Sequence, residues 1–274
     1  PPGGGADIMA RLAAERASDV LGVAIVIDNR PGAGSTTATG LAAQSAPDGY
    51  TLLFSTAGLT INPALYKRVP YDPIKDFAPI SQVASSPFVL VVREAMPVNS
   101  VQELISVAKA KPGALTYSSG GNGSTGHLSG ELFKSMAGID VQHIPYKGLA
   151  PALNDLLGGR VDMTLSSLPS CIGHMKARRL KALAITTARR MPFAADIPTM
   201  AEAGLHGYDI EQWYGVLARA GTDNEIVYKV YDALMRTLRP DDERLAEKLA
   251  GLGSRAVVTT PAEFASFIRT NLAL

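Results

Sequence analysis

The residues best able to do chemistry are concentrated in YSSGGNGSTGHLSGELF, Tyr117 to Phe133. A strand-like run ends in hydroxyl residues, a glycine-rich turn follows, and helical periodicity then begins. Gly121-Asn122-Gly123-Ser124-Thr125-Gly126 fits G-x-G-x-x-G between a strand and a helix, the setting in which a dinucleotide-binding turn is credible. That reading also needs an acidic residue at the end of the next strand, to hold a ribose hydroxyl. Here the next strand ends in Pro145-Tyr146-Lys147, and Asp140 precedes it, at the wrong edge of a sheet. The turn lacks the Gly-Lys-Ser/Thr ending of a P-loop as well, so nucleotide binding is set aside. The physics of the turn survives. A helix N-terminus carries unpaired N–H groups and about half a positive charge. Glycines let a ligand approach the backbone, and Ser124 and Thr125 add hydroxyls; a carboxylate suits this geometry as well as a phosphate. Gly3-Gly4-Gly5 forms a second such turn, before a helix starting near Ala6-Asp7. Asp7 would compensate that helix's dipole, with contact to a ligand amino group left open as a second role.

Catalytic chemistry is poorly supported. Ser124 and His127 are helix neighbours three apart, so a hydrolase-like pairing of the two is the alternative reading, but no acid is placed to orient the histidine. His143, His174 and His206 are scattered singles, and Cys171 with His174 is a lone C-x-x-H, far short of a zinc set. We therefore expect neither a catalytic residue, nor a metal, nor a cofactor. Basic and acidic residues nearly balance, 26 against 25, which gives no footprint for nucleic acid. The densest basic stretch, His174 to Arg190, reads as a solvated helix end and strand flank. One cysteine permits no intramolecular disulfide, and no apolar run is long enough to span a membrane.

These turns must be carried by α/β elements. Apolar residues make up 46% of the 274-residue chain, enough for one large domain or two lobes. Strands are expected at Val23–Asn29, Tyr50–Thr56, Phe88–Val92, Leu115–Ser119, Val141–Tyr146, Val161–Ser167 and Leu180–Thr187, with helical patterns between many of them. Ser/Thr-x-x-Glu capping boxes at Ser100, Thr199, Thr222 and Thr260 mark helix starts, and the chain beyond Thr222 is mostly helical. Gly5 to Gly22 and Gly121 to Gly138 each span 17 residues on the same plan of turn, helix, break and strand, which suggests two similar lobes. Each would offer a helix N-terminus at the carboxyl edge of its sheet, where open α/β sheets bind ligands.

PPGGGADIMAR, VIDNRPGAG, PDGYTLL, YDPIKDF, HIPYKGLAPALNDLLGGRVD, KALAITTARR and IPTMAEAGLHGY occur in that order. Together they resemble the periplasmic solute-binding proteins of tripartite tricarboxylate transporters, the TctC or Bug family, over essentially the whole chain. The resemblance implies a type II periplasmic-binding-protein fold, with two α/β lobes, a ligand cleft between them and two crossover strands, near Ser85–Val89 and Glu211–Val216. The first lobe would be residues 1–87 and 213–274, the second 88–212. The resemblance further implies an extracytoplasmic, periplasmic monomer that closes on a small organic carboxylate and docks on a membrane permease, with an export signal and a first strand preceding Pro1. Residue by residue it points to Gly3, Gly4, Gly5, Thr56 and Ala57 on the first lobe. On the second it points to Gly123, Ser124, Thr125, His127, Tyr146 and Lys147, with Ser166 and Ser167 as cleft-wall residues.

Overall fold

The computed structural model describes residues 2–273, without the side chain of Ala273; Pro1 and Leu274, the outer bounds of the expected first lobe, lie outside them. In chain order the elements are α1 Gly5–Leu21, α2 Thr36–Ala43, β1 Leu52–Ser55, α3 Gly58–Leu65, β2 Phe77–Arg93, α4 Val101–Ala110, β3 Thr116–Ser119, α5 Thr125–Ala137, β4 Gln142–Pro145, α6 Leu149–Leu157, β5 Met163–Ser167, α7 Leu168–Lys176, β6 Leu180–Ile185, β7 Glu211–Arg219, α8 Asn224–Thr237, α9 Glu243–Gly251, β8 Arg255–Ala256 and α10 Pro261–Ala273. They form two α/β lobes that share one strand. From Phe77 to Pro87, β2 pairs antiparallel with β7, which pairs in turn with β1. From Phe88 onward the same strand lies between β5 and β6, and the parallel pair β3–β4 extends that second sheet beyond β5. The expected crossing at Ser85–Val89 is where β2 changes sheets. The chain returns beside it: Thr186 Oγ1 donates to the Ile210 carbonyl at 2.6 Å and accepts the Phe88 N–H at 2.9 Å, and β7 starts at Glu211.

Each sheet has its own apolar core. Met9 and Leu12 of α1, Ile80 and Val83 of β2, Tyr214 and Val216 of β7 and Val227 and Leu234 of α8 pack in the first lobe. Leu90, Leu104, Tyr117, Phe133 and Leu165 fill the second. Trp213 lies within the first sheet, edge-on to Phe264 and Phe267 of α10 at 5.7 and 5.8 Å. The two-lobe echo holds best at the helix ends. Gly22 and Gly138 are both left-handed C-caps, with φ of 68° and 62°, where glycine has no Cβ penalty.

Three local expectations change. Val23–Asn29 forms no strand, because among the described residues no strand lies alongside it to complete a ladder; Val26 stays 85% exposed. The Thr222 box is displaced by one residue, since Asp223 caps α8 by accepting the Glu225 N–H at 2.8 Å. At Thr199 the reciprocal bonds with Glu202 form, at 2.7 and 3.1 Å, but they close a turn rather than start an α-helix. The boxes at Ser100 and Thr260 head α4 and α10 as expected.

Candidate functional site

A cleft of about 250 Å³ opens between the lobes. Gly32, Ala33, Gly34 and Tyr66 line it from the first lobe, and Gly120, Gly121, Asn122, Pro145, Tyr146 and Lys147 from the second. Three of these stretches run directly into helices: Gly32–Gly34 leads into α2, Gly120–Asn122 into α5, and Pro145–Lys147, through Gly148, into α6. Each helix start contributes about half a positive charge. Lys147 adds a whole one; it is exposed, and among the described residues it makes no ion pair. Among the described residues the lining holds no Asp or Glu. The arrangement can hold an anion.

The first-lobe wall is a strained loop. Gly32, Ala33, Gly34 and Ser35 all have positive φ, at 136°, 44°, 60° and 80°. For Ala33 and Ser35 this conformation costs of order 1–3 kcal/mol each, the kind of strain that clusters at ligand sites. Asn62 of α3 holds the loop in place, its Nδ2 donating to the Gly34 carbonyl at 2.8 Å and to Thr36 Oγ1 at 3.0 Å. The lobes touch across the cleft mouth. Tyr66 donates its hydroxyl hydrogen to the Asn122 carbonyl at 2.6 Å. A Cβ added at Gly123 would lie 2.9 Å from Asn62 Oδ1, and one at Gly34 would lie 2.9 Å from the Asn122 carbonyl oxygen. Both glycines are therefore required by the close approach of the lobes as well as by their own left-handed φ.

The residues singled out in the sequence separate into three groups. Tyr146 and Lys147 line the cleft, while Gly123 adjoins it beside Tyr66. The Tyr146 hydroxyl donates to Asp155 at 2.7 Å; partial burial and that carboxylate push its pKa up to about 12, so it stays a neutral donor. Ser124 and His127 support the second-lobe turn. Ser124 Oγ accepts the His127 backbone N–H at 3.3 Å, which is ordinary N-capping, and His127 Nδ1 accepts the Gly123 N–H at 3.2 Å. The histidine ring therefore bonds the turn backbone instead of activating Ser124. Thr125 is buried as the first residue of α5.

The remaining residues lie at the starts of α1 and α3 and at the end of β5. The Gly5 N–H donates to Ser170 Oγ of α7 at 2.9 Å, and a Cβ at Gly5 would stand 2.5 Å from Ser167 Oγ and 2.7 Å from the Tyr214 hydroxyl. The start of α1 is thus pinned to the second lobe. Ser167 faces this contact; Ser166, one residue earlier on β5, alternates to the other face and is fully buried. Thr56 and Ala57 form the turn that opens α3, their carbonyls accepting the N–H groups of Leu59, Thr60 and Ile61. Gly3 donates to Asp7 Oδ2 at 2.9 Å, Gly4 is the N-cap of α1, and Asp7 Oδ1 meets Arg11 Nε at 3.0 Å and Asn29 Nδ2 at 3.1 Å. Burial alone would raise the Asp7 pKa; the Gly3 N–H, Arg11 and Asn29 outweigh it and hold the carboxylate below its usual range. Oδ2 thus closes the first turn, while Oδ1 ties the helix start to Arg11 and Asn29. Sequence reasoning passed over Gly32–Gly34, Asn62, Tyr66 and Asn122 as site residues. The signal available for the first three was PGAG, whose spaced glycines ahead of a helix match the pattern used for the other two turns.

The sequence model described as the tripartite tricarboxylate transporter family receptor matches residues 9–273. The chain belongs to this receptor family. BugT of Bordetella pertussis is 37% identical over 270 residues, which cover 98% of this chain and 82% of that protein. Among solved structures, Rpa4515 of R. palustris with adipate is 39% identical and superposes with a TM-score of 0.96, over 100% of this chain and 91% of its own. MatC of Rhodopseudomonas palustris with bound malate is 30% identical with a TM-score of 0.93, over 100% and 94% of the two chains. Fold and family thus agree with the two-lobe architecture. No helix among the described residues is long and apolar enough to cross a membrane.

Proposed function

We propose that this receptor-family protein is periplasmic, captures a small organic carboxylate between its lobes and delivers it to the membrane permease of a tripartite tricarboxylate-type transporter. The observation that carries the reading is the cleft lining: the starts of α2, α5 and α6 converge there with Lys147, and no carboxylate side chain opposes them. Adipate and malate, bound by two structurally similar proteins, are both dicarboxylates, so dicarboxylates spanning that range of lengths are the first class to test. One carboxylate would meet the Gly32–Gly34 loop and the other the Gly121–Gly123 turn, with Lys147 at the mouth. A charge-assisted hydrogen bond contributes about 1.5–3 kcal/mol. A few of them, less the ordering costs, reach about −8 kcal/mol, a micromolar dissociation constant.

We assign residues 1–87 and 213–274 to one lobe and 88–212 to the other. The change of β2 from one sheet to the other between Pro87 and Phe88 supports the first boundary, and β7 begins two residues before the second. Ligand would bridge the lobes and stabilise the closed arrangement, in which Tyr66 meets Asn122. A thermal-shift screen of mono-, di- and tricarboxylates, with NAD and ATP included, tests the reading. A selective rise in Tm with one carboxylate class is expected, since binding stabilises the native state by mass action. A rise only with a nucleotide, or none with any carboxylate at millimolar concentration, overturns it.

A further inference from the structure

The second-lobe turn is held from behind by two histidines. Ser119, the last residue of β3, places its Oγ 2.7 Å from His143 Nε2 and 3.2 Å from both the N–H and the carbonyl of Gly121. His127 Nδ1 accepts the Gly123 N–H at 3.2 Å. The two imidazole rings stack on each other with centroids 4.3 Å apart and planes 28° apart, and His143 stacks in turn on Tyr117 at 4.7 Å. Both ends of Gly121–Gly123 are thereby anchored to this stack, one directly and one through Ser119.

The hydrogen bonds place the proton of His127 and leave two arrangements for that of His143. A ring nitrogen that accepts carries no hydrogen, so His127 is neutral with its proton on Nε2. Ser119 has one hydroxyl hydrogen. Directed at His143 Nε2, it leaves the oxygen free to accept the Gly121 N–H, and His143 is then neutral with its proton on Nδ1. Protonating His143 at Nε2 would turn that hydrogen toward the Gly121 carbonyl instead. Protonating His127 at Nδ1 would expel the Gly123 N–H. Two charged rings at this separation would also repel. The titratable and charged groups facing the pair are Tyr117 on β3 and Glu131 and Lys134 on α5. Tyr117 donates to Glu131 Oε1 at 2.6 Å and Lys134 pairs with the same carboxylate at 2.9 Å, so the local charges cancel. Burial, the largest cause in each case, lowers the pKa of both histidines, that of His143 to about 4.

We propose that His127 and His143 are positioning residues for ligand capture: as a stacked, neutral pair they set the shape of the Gly121–Gly123 turn, and the cleft holds its anion only while both rings are uncharged. This rests on the carboxylate-receptor reading above for its binding arm alone. Nitrogen-15 spectra of the histidine rings in the ligand-free protein test the geometry without any ligand. The expected result is a protonated Nε2 on His127, both rings neutral at pH 6.5, and a Gly123 amide resonance that moves as His127 titrates but not in His127→Asn. A proton on His127 Nδ1, a ring titrating at or above the ordinary histidine value, or an indifferent Gly123 amide overturns the proposal. Calorimetry with adipate and malate supplies the second arm. His127→Asn presents an oxygen near the Nδ1 position and should bind within about threefold of wild type at pH 7.5, whereas His127→Ala, losing a hydrogen bond, should bind about fivefold more weakly. The ratio of wild-type affinity to that of the double variant His127→Asn/His143→Gln should fall between pH 7.5 and 4.0, a comparison in which ionisation of the ligand cancels. A constant ratio in variants that melt like wild type refutes the proposal. If neither ligand binds any of the proteins, the receptor reading is at fault and the ring spectra still decide the positioning role.

Discussion

Replacing Gly34 by Ala separates the closed form from the fold that carries it. The substitution has two costs. The left-handed φ of 60° acts in every state, because an L side chain there costs about 1–2 kcal/mol. The second arises only between lobes: the new Cβ would lie 2.9 Å from the Asn122 carbonyl oxygen, well inside ordinary van der Waals contact, and the same carbonyl is already fixed by the Tyr66 hydroxyl at 2.6 Å. Overpacking of this kind costs about 1–3 kcal/mol, which at about 1.4 kcal/mol per decade weakens a ligand that requires closure by about 5- to 150-fold. The first cost should appear alone in the ligand-free protein, as a Tm lowered by roughly 2–8 °C, from about 2–4 °C per kcal/mol. Calorimetry with the tightest carboxylate found in the screen measures the second. Small-angle scattering with and without that ligand shows whether compaction is lost. A variant that melts early yet binds and compacts like wild type would refute the argument that the lobes close on this contact.

Tyr66→Phe removes a hydroxyl that bridges the cleft mouth; a net loss of about 1 kcal/mol predicts a roughly fivefold faster ligand release with little change in association, measured by stopped flow. Lys147→Met should lower affinity for dicarboxylates and flatten the decline of association rate with added salt, because the exposed ammonium is the one full charge in the cleft lining. For stability against pH, burial lowers the His143 pKa from 6.5 to about 4, so the unfolded chain takes up a proton that the folded one resists; its contribution is fully present above pH 6.5 and is lost as pH falls toward 4. Urea unfolding of His143→Gln should show a shallower loss over that window. Cys171 is fully buried and its thiol is pushed up to about 12 by burial, so it should resist alkylation in the native protein and react only on unfolding.

What could be read in the chain depended on how local the deciding interactions are. Six of the seven expected strands lie in or overlap β-strands, since an apolar run between turn residues reports its own burial. Val23–Asn29 has the same composition and fails, because a strand is completed by its neighbour and not by itself. At Thr222 two adjacent residues could each cap α8, and the pattern alone did not choose Asp223. The site divides along the same line. The turn at Gly121–Gly126 was legible because glycines next to a helix start are a local signal, whereas Tyr146 and Lys147 entered only through the family resemblance. The contacts that turn them into a cleft are not local: Tyr66 and Asn122 are 56 residues apart, and Ser119 and His143 are 24 apart. Nothing in the sequence near either partner announces the other.

That distinction also bears on roles. Ser124 and His127 stand three apart at a helix start, which from sequence fits a nucleophile and its base or a ligand pair. In the structure the serine takes the His127 backbone N–H and the ring takes the Gly123 N–H, so both side chains support the turn. Asp7 follows the same course: a charge beside a glycine turn could read a ligand, yet Gly3, Asn29 and Arg11 fill both of its oxygens. Side chains that look reactive are engaged in shaping the turns, and four of the ten residues lining the cleft are glycines, which present only backbone. Recognition through backbone amides and helix ends, as proposed above, would fix the sign of the ligand's charge more firmly than its identity. A scaffold of this kind can accept carboxylates of different length by changing the distance between two turns, without changing the residues that form either one.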